Sequence, residues 1–152
     1  VGTPVQTDLQ ALPFGRAEVV RQGQGLAILA FGPLLHEALI AAESLDATVV
    51  NMRWAKPLDL QTLQQVAQQH ERFITIEDGA RMGGAGSAVM EALQDMGIHK
   101  PVLVMGFEDE FTEHGDPGLL MQQYGLTANG IQKRIEERWP VVEDTPSLRR
   151  VV

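Results

Sequence analysis

The sequence predicts an α/β fold in which a parallel β-sheet is sandwiched between layers of helices. Short runs that are apolar throughout recur along the chain, as in strands covered on both faces. Most of these runs precede a segment with apolar residues at helical spacing, and such strand–helix alternation is typical of parallel sheets. The 152 residues are 44% hydrophobic and 21% charged, which is enough apolar material for the core of one domain.

The first two predicted strands differ in character. Residues 15–23 mix apolar with charged side chains, which suits a half-exposed strand at the edge of a sheet. Residues 26–31 are all apolar and predict a strand that is covered on both faces. Gly32 ends this strand, and Pro33 suits the first position of a helix that we expect to stop near Leu45.

A second strand–helix unit follows directly. Residues 47–52 predict the next strand, and Asp59 is a good N-cap for a helix that continues to about Gln69. Leu58 and Leu63 fall on either side of the start of this helix, at the spacing of a hydrophobic staple.

The third unit joins an apolar strand to a helix through an acidic, glycine-rich turn. The strand is predicted over residues 73–76 and the helix over 84–96. Glu77 and Asp78 come at the carboxyl end of the strand, where α/β folds commonly place the polar groups of a site. The glycines of the turn allow a close approach, either by a ligand or by another protein surface.

The last part of the predicted domain holds one strand, one polar loop and two short helices. The strand is predicted over residues 102–105 and the loop over 106–115. The two closing helices are predicted over residues 117–124 and 128–138.

The predicted domain covers residues 15–138. Residues 1–14 contain two prolines and no periodicity, which indicates an extended interdomain arm. Residues 139–152 are predicted to be a loosely attached C-terminal tail. Because the chain opens on Val1 rather than on Met, we expect it to be a piece of a longer polypeptide.

Composition excludes several classes of function. The balance of 12 basic against 20 acidic residues gives a net charge of −8, which argues against a nucleic-acid partner. The absence of cysteine excludes disulfides and thiolate metal sites. No apolar run approaches the roughly 20 residues that span a bilayer, and no signal peptide is visible. We therefore expect a soluble, cytosolic domain without a membrane partner.

If the sheet is parallel, the turns that follow its strands meet at one edge, where such folds usually bind ligands. One alternative is that these turns are only the polar strand ends that any α/β domain needs. No Ser-His-Asp arrangement is recognisable, so no catalytic residue is predicted. The candidate polar residues at this edge are Arg53, Lys56, Glu77, Asp78, Arg81, Ser87, Glu108, Asp109 and His114.

A nucleotide site is a further alternative at the same edge. Gly84 and Gly86 match the first two glycines of a dinucleotide-binding turn, but Val89 occupies the place of the third. Glu108 and Asp109 follow the next strand at about the distance expected for a ribose partner.

The four histidines show no metal-ligand spacing, either to one another or to carboxylates. No metal site is therefore predicted. We expect His36, His70 and His99 to be solvent-exposed helix or loop residues. His114 lies in the polar loop, where we predict a loop-ordering hydrogen bond rather than proton transfer.

Two motifs resemble the C-terminal domain of transketolase-type thiamine-diphosphate enzymes. The first is Arg-Trp-Ala-Lys-Pro-Leu-Asp at residues 53–59, and the second is the acidic, glycine-rich stretch at 77–87. Met-Gly-Gly-Ala-Gly-Ser at 82–87 and Asp-Glu-Phe-Thr-Glu-His-Gly at 109–115 are most similar to the 1-deoxy-D-xylulose-5-phosphate synthase family. Residues 124–131 also agree with that family.

The resemblance covers residues 12–138 and implies a three-layer αβα sandwich, with a five-stranded sheet whose first strand runs antiparallel to the other four. It implies an intact enzyme that joins pyruvate and D-glyceraldehyde 3-phosphate, with loss of CO₂, in isoprenoid, thiamine and pyridoxal synthesis. Thiamine diphosphate, held with Mg²⁺, would supply the carbanion chemistry. The family holds this cofactor through a Gly-Asp-Gly segment that this chain lacks, so we expect no cofactor, metal or turnover in this chain alone.

In the family, the C-terminal domain packs against the N-terminal and middle domains and helps the homodimer to form. We expect the glycines of the turn to admit another domain, so that Gly84→Val would disturb assembly more than the fold. The residues for which an interface or site-rim role is expected are Arg53, Glu77, Asp78, Arg81, Gly83, Gly84, Gly86, Ser87, Asp109, Phe111 and His114.

Two competing functions remain open from the sequence. One is a docking module for a partner subunit, as in related 2-oxo-acid dehydrogenase components. The other is a stand-alone nucleotide-binding domain. If the family assignment is correct, the enzyme is expected in the bacterial cytoplasm, or in the plastid stroma of a plant or alga.

Overall fold

A computed structural model describes Asp8 and residues 10–140, and within them it shows the predicted α/β fold. The sheet formed by these residues has five strands: β1 (Glu18–Arg21), β2 (Ala27–Ala30), β3 (Thr48–Asn51), β4 (Phe73–Ala80) and β5 (Val102–Phe107). Their spatial order is β1-β3-β2-β4-β5, so β1 and β5 lie at the two edges of this sheet.

The first strand runs antiparallel to its neighbour, and the other strand pairs are parallel. Glu18 pairs with Asn51 in the antiparallel ladder, and a bulge interrupts this ladder before Arg21. In the parallel part, Ile28 pairs with both Val49 and Ile74, one on each side. The mixed sheet with one antiparallel edge strand, which the family resemblance implied, is thus confirmed.

Helices cover both faces of the sheet and bury its alternating side chains. Ile28 and Ile74 point towards the helices at residues 35–45 and 128–138, whereas Leu29 and Phe73 point towards those at 60–69 and 85–95. A 3₁₀ turn at Gly32–Leu34 precedes the first helix. The α-helices within the described residues are α1 (Leu35–Leu45), α2 (Leu60–Gln69), α3 (Ala85–Asp95), α4 (Pro117–Gln123) and α5 (Ala128–Arg138).

The strand β4 is longer than the sequence predicted. It does not end at Ile76 but continues to Ala80, so Glu77 and Asp78 lie within a strand rather than in a turn. The extension is held by β5, because Ala80 pairs with Phe107 and the N–H of Arg81 donates to the Phe107 carbonyl at 2.8 Å. Polar side chains indicated a turn, but backbone pairing with a distant strand overrides that local preference.

One predicted surface residue is buried. His70 was expected to be exposed, but only 3% of it is accessible. It ends α2, where its Nδ1–H donates to the Val66 carbonyl at 3.1 Å and its Nε2 lies 2.8 Å from the Thr48 hydroxyl. The prediction was wrong because these polar partners satisfy the imidazole inside the protein. His36 and His99 are exposed, as expected.

The predicted arm and tail lie mostly outside the described residues. The structure does not describe residues 1–7, 9 and 141–152. The assignment of residues 1–14 to an arm and of residues 139–152 to a tail therefore stays a prediction. Within the described part, the Phe14 ring packs edge-on against Trp54 at a centroid distance of 4.9 Å. No helix in the described part of the chain is long and apolar enough to span a membrane.

Candidate functional site

The carboxyl ends of the parallel strands meet at one edge of the sheet. The N–H of Phe31 donates to the Ile76 carbonyl, and the N–H of Met52 donates to the Ala30 carbonyl, both at 2.9 Å. These bonds bring β2, β3 and β4 to the same level, so the segments that follow them lie side by side. The predicted clustering of the candidate residues at this edge therefore has a structural basis.

Glu77 is the only buried residue among the charged candidates. Only 8% of it is accessible, and its carboxylate lies at the start of α3. Oε2 accepts the N–H of Ala85 and Oε1 accepts the N–H of Gly86, each at 2.9 Å. The carboxylate therefore caps two of the free N–H groups that begin a helix. Its hydrogen bonds point inward, to this chain's own helix.

The glycines after β4 differ in the space around them. A Cβ atom on Gly84 would lie 2.5 and 2.6 Å from the two oxygens of Glu77, and one on Gly86 would collide with Thr75. Gly83 has a φ of +71° and open space around it. Gly84 and Gly86 are thus packed inside the chain itself, and this crowding argues against the expectation that Gly84→Val would disturb assembly more than the fold.

The two candidate arginines already have carboxylate partners. Arg53 has a φ of +58°, an uncommon backbone conformation for this residue type, and its guanidinium forms an ion pair with Glu18 of β1. The Arg81 guanidinium lies 3.0 Å from a carboxylate oxygen of Glu108. This second pair links the turn after β4 to the loop after β5. Neither arginine is left free to attract an anionic ligand without giving up its partner.

Two large apolar side chains are exposed at the same edge. Met82 is 68% accessible, and Phe111 is fully accessible. Asp78, Asp109 and His114 are exposed as well. Single exposed apolar side chains are common on protein surfaces, so Met82 and Phe111 are candidates for a contact with another protein surface.

The remaining candidates have structural partners or exposed positions. The Ser87 hydroxyl accepts the N–H of Gly83 at 3.1 Å, which closes the turn before α3. Lys56 is exposed, next to Pro57, and a Cβ atom on Gly15 would lie 2.9 Å from Cγ of that proline. Across Asp8 and residues 10–140, no three His, Asp or Glu side chains lie close enough together to hold a metal ion.

Asp59 has a larger role than the sequence indicated. It caps α2 as predicted, since its Oδ1 accepts the N–H of Thr62 at 3.1 Å. It also accepts the Thr62 hydroxyl and the N–H of Ala17, both at 2.9 Å, and lies 3.4 Å from the Arg16 guanidinium. The contacts to residues 16 and 17 were missed because those partners are more than forty positions away and leave no local pattern.

Burial and hydrogen bonding act on the Asp59 carboxyl in opposite directions. Burial raises its pKa, whereas the bonds from Ala17 and Thr62 and the positive charge of Arg16 lower it. The lowering effects are stronger together, so the pKa lies below the ordinary value of 3.8. Asp59 is therefore held as a carboxylate that stabilises the start of α2 and the entry to β1.

The sequence matches the family model for the transketolase C-terminal domain over residues 15–131. It is 59% identical over 138 residues to a 1-deoxy-D-xylulose-5-phosphate synthase of Albidiferax ferrireducens, a match that covers 91% of this chain and 22% of the relative. A synthase of the same name from Polaromonas naphthalenivorans is 52% identical over 99% of this chain and 24% of the relative. The chain thus spans about a quarter of the length of these relatives.

A solved structure described as a split-gene transketolase, an inactive β4 tetramer, has a similar fold. The TM-score is 0.77 and the sequence identity is 33%. The match covers 88% of this chain and 45% of that protein.

Proposed function

The chain belongs to the family of transketolase C-terminal domains, and from that membership we propose that it is the assembly domain of a 1-deoxy-D-xylulose-5-phosphate synthase. The observation that carries the proposal is the 59% identity to such a synthase across 91% of the chain. The intact enzyme would join pyruvate and D-glyceraldehyde 3-phosphate with loss of CO₂. It would supply precursors of isoprenoids, thiamine and pyridoxal. Because the relatives named above are bacterial, the proposal places it in the bacterial cytoplasm.

Thiamine diphosphate and Mg²⁺ belong to the other domains in this proposal. The described residues offer the cofactor neither a cluster of metal ligands nor a free helix N-terminus at α3, because Glu77 already binds the N–H groups of Ala85 and Gly86. The same occupation counts against the nucleotide-binding alternative, since a phosphate would need those two groups. The chain on its own is therefore expected to bind no cofactor and to turn nothing over.

The edge that carries Met82 and Phe111 is proposed to contact the rest of the synthase. These side chains supply exposed apolar area, and the Arg81–Glu108 pair holds their two segments together. Asp78, Gly83, Asp109 and His114 are assigned to the same contact surface or its rim. Glu77, Gly84, Gly86 and Ser87 support that surface from inside the chain. Arg53 is assigned to the rim of the same edge, in the turn after β3.

The docking-module alternative is the competing proposal. A docking module of a 2-oxo-acid dehydrogenase would bind a separate partner subunit instead of domains of its own enzyme. The synthase names of the relatives described above favour the assembly domain. The two proposals differ in which protein the Met82–Phe111 edge recognises, and a binding measurement separates them.

The test is a binding experiment with a relative's synthase from which the segment matching this chain has been removed. We expect a stoichiometric complex by light scattering, and we expect Met82→Glu and Phe111→Glu each to weaken it at least about tenfold. Ile40→Glu is the matched control, because Ile40 is 56% exposed on α1, away from this edge. Strong binding to a dehydrogenase acyltransferase core instead, or equal effects of all three variants, would contradict the proposal.

A further inference from the structure

The Glu77 carboxylate occupies the position of a bound anion. Its two oxygens accept the N–H groups of Ala85 and Gly86, the first two residues of α3, at 2.9 Å each. The N-terminus of a helix attracts anions through such free N–H groups and the positive end of the helix dipole. In many α/β proteins a ligand supplies the anion, whereas here the preceding strand supplies it.

Backbone encloses this carboxylate on several sides. A Cβ atom on Gly84 would lie 2.5 Å from Oε2, one on Gly79 would lie 3.3 Å from the same oxygen, and one on Gly106 would lie 3.3 Å from Cγ. Three glycines from three different segments thus make room for one side chain. Because a tetrahedral phosphate is bulkier than a planar carboxylate, we expect this enclosed space to accept phosphate less readily.

A buried hydroxyl next to the same helix start has no partner. Thr75 is fully buried, and among the described residues its Oγ1 is one of two buried side-chain polar atoms without a hydrogen bond, the other being the Trp54 Nε1. The Thr75 hydroxyl packs against Gly86, beside the N–H groups that Glu77 binds. An unpartnered buried hydroxyl is costly, and this one lies against Gly86, whose N–H group Glu77 binds.

We propose that the turn between β4 and α3 is an anion site that the chain fills with its own Glu77 carboxylate, and that free acetate enters this site when Glu77 is shortened to alanine. Glu77→Ala removes the atoms beyond Cβ, and these atoms are equivalent to one acetate ion. The cradle of Gly79, Gly84 and Gly106 would remain in place, with two unsatisfied N–H groups and the Thr75 hydroxyl around it. This inference does not depend on the synthase assignment, because it concerns the chain alone.

The test measures the melting temperature of Glu77→Ala at pH 7 in sodium acetate and in sodium chloride of equal ionic strength. Loss of two charge-assisted hydrogen bonds should lower Tm by on the order of 10 °C in chloride. Acetate should then raise the Tm of this variant by several degrees, with a saturable dependence on concentration. Inorganic phosphate at the same ionic strength should give a smaller rise than acetate.

The matched control is Asp78→Ala, which removes the exposed carboxylate of the next residue in the same strand. Its Tm should be the same in acetate and chloride. An equal acetate effect on Glu77→Ala, Asp78→Ala and the unaltered chain would overturn the proposal, because it would be a general salt effect.

If Glu77→Ala is unfolded in chloride, acetate should allow it to fold. A variant that stays unfolded in both salts would overturn the proposal.

Glu77→Gln gives a separate readout, because its amide nitrogen would face an N–H donor. Amide exchange at Ala85 and Gly86 should accelerate at least tenfold in this variant, while exchange at Leu93, later in α3, should change little. Unchanged exchange at Ala85 and Gly86 would show that the carboxylate is not needed there.

Discussion

The carboxylate of Asp59 accepts the N–H of Ala17 at 2.9 Å, across 42 positions of sequence. The same carboxylate begins α2 by accepting the N–H of Thr62 at 3.1 Å. One buried side chain therefore fixes two things: the first turn of a helix and the path by which the chain enters the antiparallel edge strand. This entry segment also carries Phe14, which packs against Trp54 of the motif at residues 53–59.

Replacing Asp59 by alanine should destabilise the chain far more than an ordinary surface change. The variant loses a helix cap and leaves the N–H groups of Ala17 and Thr62 without their acceptor. We expect a loss of about 2–4 kcal/mol in the free energy of unfolding, measured in urea. Asp95→Ala, at an exposed position of α3, should change it by less than about 0.5 kcal/mol. Equal losses in the two variants would argue against the role of Asp59.

The stability that Asp59 provides over asparagine at the same position should decrease as the pH is lowered. The pKa of Asp59 is lower in the folded chain than its ordinary value of 3.8, so the folded state favours the carboxylate. The resulting stabilisation is fully present above about pH 4 and is lost as the pH falls through the folded pKa. The difference in unfolding free energy between the unaltered chain and Asp59→Asn should therefore be constant from pH 5 to 7 and shrink below pH 4. A difference that grows on acidification would contradict the assignment.

Two neighbouring glycines should respond differently to the same substitution. Gly84→Ala places a methyl group against the Glu77 carboxylate and the Ala80 carbonyl, and should cost about 3 kcal/mol. Gly83→Ala meets no atom within 4 Å, so that its cost should be only the left-handed backbone penalty of about 1 kcal/mol. Chemical denaturation of both variants measures the difference. A larger loss for Gly83→Ala would show that the cradle around Glu77 tolerates a side chain.

Because His70 is buried, its replacement should destabilise the chain strongly, although the sequence indicated a surface residue at this position. His70→Ala leaves a cavity and removes the hydrogen bonds to Val66 and Thr48, and should cost about 2–3 kcal/mol of unfolding free energy. The exposed His99 serves as its control, with an expected change within about 0.5 kcal/mol for His99→Ala. Thermal unfolding followed by circular dichroism compares the two. Similar melting temperatures for both variants would contradict the packing of His70.

Much of the fold could be predicted because each element carries its own local signal. The all-apolar run of β2 and the N-cap of α2 at Asp59 are visible within a few residues, and both were predicted correctly. The burial of His70 was not predictable in this way, because its partner Thr48 lies 22 positions away. Long-range polar pairing leaves no periodic pattern, so a polar residue in sequence was mistaken for a surface residue.

The residues of the candidate site could be predicted from the sequence, but the direction of the Glu77 side chain could not. The sequence indicated that Glu77 and the glycines near it form one unit, and the structure brings them together. It could not show that β4 continues to Ala80, since this depends on pairing with Phe107. That extension points the Glu77 carboxylate at α3 rather than outward. Exposed residues such as Met82 and Phe111 make no internal contact that a sequence pattern could indicate, so their proposed role in assembly depends on a binding measurement.

The most direct test of the assembly-domain proposal is a domain replacement. Residues 15–138 would replace the matching segment of the Albidiferax ferrireducens synthase, and the rate of 1-deoxy-D-xylulose 5-phosphate formation would be measured against the parent enzyme. The proposal predicts that the chimera keeps activity within about tenfold of the parent, and that adding Met82→Glu and Phe111→Glu abolishes both its assembly and its activity. A folded, assembled chimera without activity, or full activity with both substitutions present, would contradict it.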